Sequence, residues 1–407
     1  MAETVANLNG EVVVLAHQAD RRRVLAVTDL GDVSVLDFRN AGDAAGTRID
    51  GEAAAWVRSV VDEVTERSAP IDVSAGFVGP WLILAVAWNR IGHGWTVATL
   101  ALDPGEKSAR DLMRTEGYSG GPSRPVGVAG GRFVVVDSSD EDNTTTVNAF
   151  ALPRFERHEV LRLDDDPDGL RPTLAGRDGL LYDPAAHRLF LVTVDPDNWD
   201  GNRILSVPLD ADCRPVADGP TTLVCVKAEP YSPRIGGACV NPFTGEVACV
   251  MYSSEWEGVV PVARLPERGD LISVADLYVV HPGGDPRRFD VRGVLGVNAT
   301  LYEREADAPN VPDRFRFTFD FGGARSEVTP VVALGPDAYV IGLCGGSLVK
   351  LSTATDAQEH VYAFDSPITA LAPGAEPDPS WSDWRPARSW QSPWPGRRLD
   401  RRKSGPV

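Results

Sequence analysis

Asp164, Asp166 and Asp168, three carboxylates at alternate positions with Gly169 after them, reproduce the first half of a calcium-binding loop. In such a loop the carboxylates converge on one hard cation, and the glycine permits the sharp turn around it. The second half is missing: the ninth position is Pro172, and the twelfth, where a bidentate glutamate belongs, is Ala175. A solvated acidic turn is the expected state, with calcium as the one candidate cofactor and none required. Four arginines stand at the head of apolar runs that read as innermost strands: Arg124 in SRPVGVAG, Arg171 in LRPTLAG, Arg234 in SPRIGGA and Arg292 in VRGVLG. Brought together, their guanidinium groups would bind a carboxylate or phosphate through paired hydrogen bonds. Kept apart, each would neutralise the acidic loop beside it. Trp199 in DNWDG and Trp256 in SEWEG each precede a carboxylate and a glycine. An aromatic face flanked by carboxylates suits a cation, a basic peptide or a sugar, or packs over the adjoining loop.

Other motifs fail on their context. Gly117-Tyr118-Ser119-Gly120-Gly121 matches GxSxG, which lifts a nucleophilic serine between a buried strand and a helix. Here the upstream KSARDLMRTE is polar and the downstream PSRP does not start a helix, so Ser119 is not expected to act as a nucleophile. His17, His93, His158, His187, His281 and His360 lack metal-ligand spacing, and no phosphate-binding or dinucleotide-binding glycine loop leads from a strand into a helix. Cys213, Cys225, Cys239, Cys249 and Cys344 form an odd set without CxxC spacing and read as buried thiols. Cys239 and Cys249 flank the turn NPFTG and could face each other across a hairpin; without an export signal, a reduced pair is expected.

A repeated strand pattern would position these groups. Short β-rich runs begin near Arg23, Trp81, Arg132, Arg188, Glu246 and Ala338, at successive offsets of 58, 51, 56, 58 and 92. The last offset is twice 46, which places one weakly marked unit around residues 289–321, where FRFTFDF reads as a strand. Each clear run follows another strand and a turn, and most lead through a loop into a third strand. Three antiparallel strands and a weaker fourth, repeated about seven times, make an all-β propeller of four-stranded blades; six or eight blades fit the same pattern. The turns in YDPAAHRLFL and VNPFTGEVACV resemble those of YVTN-type and NHL-type bacterial propellers. The likeness spans residues 5–372 at the level of fold and implies no activity.

Two segments break the repeat. Residues 52–66 place Ala53, Trp56, Val57, Val60, Val61 and Val64 on one helical face behind Asp50 as N-cap, which predicts a helix inserted between the first two blades. Residues 373–407 carry Trp381, Trp384, Trp390 and Trp394 among prolines, ending in the basic RRLDRRK. That composition predicts an extended or disordered tail that folds back on the propeller or docks elsewhere. The expected organisation is therefore a propeller over 1–372 and a tail over 373–407.

A net charge of −18 opposes nucleic acid and anionic membrane surfaces as partners. The amino-terminal stretch has no basic segment leading into an apolar core, and no apolar run approaches about 18 residues, so a cytoplasmic protein is expected. The excess of arginine over lysine fits a GC-rich bacterial genome. In a propeller, the loops joining second to third strands share one face with those leading into the innermost strands. SSDEDN, DPDNWDG, SSEWEG and DDDPDG then give that face an acidic rim. The expected function is a non-enzymatic scaffold that binds a protein partner through this tryptophan-bearing face or the tail. The alternative is a lactonase-like or lyase-like enzyme acting on an anionic small molecule at the channel mouth, with calcium assisting; Asp72 and Glu327 are the carboxylates on offer there.

Overall fold

The computed structural model describes residues 12–18, 23–28, 33–37, 45–48, 71–90, 94–103, 108–118, 123–139, 144–163, 173–174, 178–194, 202–216, 221–226, 234–252, 255–259, 271–294, 299–302, 314–319, 329–343, 346–363, 368 and 371. The expected helix at 52–66 and tail at 373–407 lie outside these residues. Among them all regular structure is β. The first sheet runs β1 (Val12–Gln18), β2 (Arg23–Thr28), β3 (Val33–Asp37), β4 (Ala45–Arg48), and the second β5 (Ile71–Val78), β6 (Trp81–Arg90), β7 (Gly94–Asp103), β8 (Ser108–Tyr118). The third runs β9 (Val126–Val128), β10 (Arg132–Ser139), β11 (Thr144–Ala151), β12 (Glu156–Leu163). In the fourth, β13 (Thr173–Leu174) and β14 (Leu180–Asp183) both pair with β15 (Arg188–Val194) as halves of one interrupted innermost strand, followed by β16 (Asn202–Pro208) and β17 (Thr221–Val226).

The fifth sheet pairs β18 (Arg234–Val240), β19 (Val247–Tyr252), β21 (Leu271–Val280) and β22 (Arg287–Val294) in that order. Between β19 and β21 the chain leaves to form β20 (Glu255–Val259), which joins β24 (Arg314–Phe319) and β23 (Ala299–Tyr302) in a three-stranded sheet. The last sheet is β25 (Val331–Gly335), β26 (Ala338–Gly342), β27 (Ser347–Ser352), β28 (Ala357–Ala363).

Strand alternation explains how these sheets stack. In β10, Phe133 and Val135 pack on Val78 and Ile83 of the second sheet, while Val134 and Val136 pack on Leu189 and Leu191 of the fourth. The same division recurs further on: Phe190 and Val192 meet Val247 and Cys249, and Ala248 and Val250 meet Tyr339 and Ile341. A strand buried on both faces must be apolar at successive positions, which is why RFVVV, RLFLV and EVACV read as unbroken runs. Fully burying a side chain such as Phe190 contributes about 1.5–3 kcal/mol, so the core is a series of layers between neighbouring sheets. Successive antiparallel sheets packed face to face are the blades of a β-propeller.

Among the described residues the segment 289–321 does not form a meander of its own. Residues 289–294 belong to β22, and FRFTFDF supplies β24, which pairs with β20 rather than with a meander of its own. The fifth and last sheets share one apolar layer directly, so the doubled offset is filled by an insertion. Among the described residues there are six sheets of four or five strands besides this three-stranded one.

Cys239 stands opposite Ala248, and Cys249 opposite Ala238. That one-residue difference puts the thiols on opposite faces of the sheet, where no disulfide can join them. Cys213, Cys239 and Cys249 are free thiols.

Candidate functional site

The innermost strands β5, β9, β14, β18 and β25 lie side by side in chain order, and polar groups bridge them at one level. Arg124, just ahead of β9, pairs with Asp178, just ahead of β14, at 3.1 Å. The other Asp178 oxygen accepts the Ala238 N–H of β18 at 3.4 Å. From β18 the bracing continues to the last blade, where the Thr329 N–H donates to the Gly236 carbonyl at 2.9 Å. Gly237 permits that approach, since a Cβ there would lie 2.5 Å from the Thr329 carbonyl oxygen and 3.3 Å from Asp178 Oδ2. Gly76 serves the same end on β5, where a Cβ would run into the Pro125 carbonyl.

The electrostatics follow from burial. The Asp178 side chain is 9% exposed and that of Arg124 39%, so a nearly buried carboxylate is answered by a half-open guanidinium. Arg124 Nε is itself buried without a hydrogen-bond partner, as is Ser74 Oγ on β5. One guanidinium nitrogen is thus committed to Asp178, and an anionic ligand at this level would compete with that carboxylate for the charge.

Of the other candidates, Arg292 is placed away from the axis. Arg292 is on β22, the outermost strand of the fifth blade, and not at the head of an innermost strand. Its Nε bonds Asp290 at 2.9 Å, and its backbone N–H donates to Gln358 of β28, so it ties the outer rims of two blades. VRGVLG looks like an innermost run because an outer strand packed against a neighbouring blade is also half apolar. Arg234 is the first residue of innermost β18, opposite Tyr252, and Asp72 is on innermost β5, opposite Ala87. Trp256 falls in the second-to-third connection of its blade, as expected, but within β20, opposite Phe317. The side chains of Arg234, Asp72 and Trp256 lie outside the described residues, as do Arg171, Trp199, Asp164, Asp166, Asp168, Ser119 and Glu327 altogether.

No protein-family description and no curated protein matches the chain. Among solved structures it is similar to a calcium-binding protein, regucalcin, of Agrobacterium tumefaciens. The two superpose with a TM-score of 0.39 at 10% identity, over 78% of this chain and 95% of that one. Among the described residues no group of three or more His, Cys, Asp or Glu side chains could hold a metal ion, and no helix is long and apolar enough to cross a membrane.

Two groups went unnoticed in the sequence. Asp178 was marked only by its place, a charge inside an interrupted innermost strand. Asn241, fully buried, donates its amide to the Gly335 and Pro336 carbonyls at 2.9 and 3.1 Å and to the Tyr339 hydroxyl at 3.0 Å. Nearby, Arg287 pairs with Glu246 at 2.9 Å. The signal for Asn241 was the turn itself. Asp183 and Asn241 each open a turn by accepting the N–H two residues on, from Ala185 and Phe243, and each turn ends in a left-handed residue, His187 or Gly245.

Proposed function

We propose that this chain is a non-enzymatic propeller scaffold, acidic overall, which holds a protein partner through the loop face bearing Trp199 and Trp256 and through residues 373–407. The observation that carries this reading is the Arg124–Asp178–Ala238 brace. The axial guanidinium closest to an anion-binding role is already engaged in joining the third, fourth and fifth blades. Arg292 is likewise engaged, at the outer rim. With Arg124 and Arg292 each paired to a carboxylate of the fold, the reading assigns recognition to the loops and the tail, where carboxylates flank tryptophans and a net charge of −18 favours a basic or neutral partner. The partner is taken to be neither nucleic acid nor membrane, and the compartment to be the bacterial cytoplasm.

The test is co-purification of the full chain with its partner, compared with Trp199→Ala, Trp256→Ala and a chain lacking residues 376–407. At least one of these variants is expected to lose most of the partner while melting normally, and recovery from the intact chain should fall as salt rises. Undiminished recovery with all three would overturn the reading. Citrate binding that raises the melting temperature of the intact chain but not of Arg124→Gln would instead favour an anionic small molecule at the axis.

A further inference from the structure

The last sheet has two apolar faces. Tyr339, Ile341, Val349 and Leu351 pack on the fifth blade. Val332, Val340 and Leu348 alternate with them, so they point the opposite way, and there they are covered by Ile368 and Leu371, which follow β28. Ile368 is 4% exposed and Leu371 7%. The Ile368 N–H donates to the Leu343 carbonyl at 3.4 Å, which anchors the crossing. Gly342 leaves the room, for a Cβ on it would lie 2.5 Å from Ile368 Cγ2 and 2.9 Å from Ile368 Cβ. Two earlier seams also use a glycine, there on an innermost strand, whereas Gly342 ends β26, the second strand of its blade. At Gly76 and at Gly237, the intruding group belongs to the chain leading into the next innermost strand, at Pro125 and Thr329. At Ile368 and Leu371 the chain beyond β28 therefore docks on the face of the last blade turned away from the fifth.

We propose that Ile368 and Leu371 form a latch at the closing seam of the propeller, filling the join between the last blade (β25–β28) and the first (β1–β4). In a ring of consecutive blades, only these two have a face with no sequence neighbour to cover it. The described layers between the second and third, third and fourth, fourth and fifth, and fifth and last sheets are each filled by the next meander in the chain, whereas this face is covered by Ile368 and Leu371, which lie beyond the last meander. The latch concerns how the ring is held shut and stands independently of the partner proposed above.

Amide hydrogen exchange of the full chain tests it. The double variant Ile368→Asn, Leu371→Asn is expected to speed exchange about tenfold or more in peptides from both β25–β28 and β1–β4, the two ends of the chain. Faster exchange confined to β25–β28 would overturn the proposal, since that is what simple local packing predicts. Should the double variant fail to fold, Ile368→Val with Leu371→Ala gives the same readout at smaller amplitude. A chain lacking residues 376–407 keeps both side chains and should exchange like the intact protein. Loosening of β1–β4 by that deletion as large as by the double variant would overturn the assignment to Ile368 and Leu371.

Discussion

At Arg124 a half-exposed charge is committed to a buried partner, and its removal has a measurable consequence. Arg124→Gln leaves the Asp178 carboxylate nearly excluded from water without its cation. The expected cost is about 1–3 kcal/mol, below that of a fully buried pair because solvent screens the guanidinium. Adding Asp178→Asn should recover part of it, which a double-mutant cycle in urea would measure. A second prediction rests on Cys213, 2% exposed in the layer between the third and fourth blades. Burial first, with Asp210 adding and Arg132 opposing, pushes its thiol from the ordinary 9.0 up to about 11. The unfolded thiol ionises first, so this contribution is intact below about pH 9 and is lost as pH rises toward 11, by up to ~1.4 kcal/mol per pH unit. Cys239, pushed by burial to about 12, extends the same decline. Cys213→Ala should flatten the fall in stability between pH 9 and 11; identical slopes would count against the account.

The turns linking first and second strands carry more than chain reversal. Asn241 reaches from the fifth blade's turn into the last blade, where its two amide hydrogens are shared among three acceptors. Asn241→Ala should cost about 2–3 kcal/mol, read as a lowered melting temperature, because the buried Gly335 carbonyl and Tyr339 hydroxyl lose their shared donor. Thr244→Ala, whose hydroxyl bonds Glu246 at 3.1 Å nearer the surface, should cost well under half as much. These turns were legible in the sequence, since YDPAAH and VNPFTG announce both the side-chain acceptor and the left-handed residue. Their inter-blade role was not, because it depends on Asn241 and Gly335 meeting across 94 residues of chain.

For the whole molecule, removing residues 376–407 is expected to leave the melting temperature within about 1 °C while weakening a partner held by the tail. The strand content and the blade pattern could be read directly, because a strand buried on both faces must spell an apolar run and turns must supply acceptors and left-handed residues. Both demands are local. What separated the true blades from the insertion at 299–319 was which strand β24 pairs with, a choice made with β20 some sixty positions earlier. The candidate chemistry divides the same way. Asp164, Asp166 and Asp168 can be recognised by spacing alone, as can four arginines ahead of apolar runs. That Arg124 sits at the axis bound to Asp178 while Arg292 sits at the rim bound to Asp290 was decided by tertiary structure, because the sign of a charge is written in the sequence but its distance from an opposite charge is set by packing.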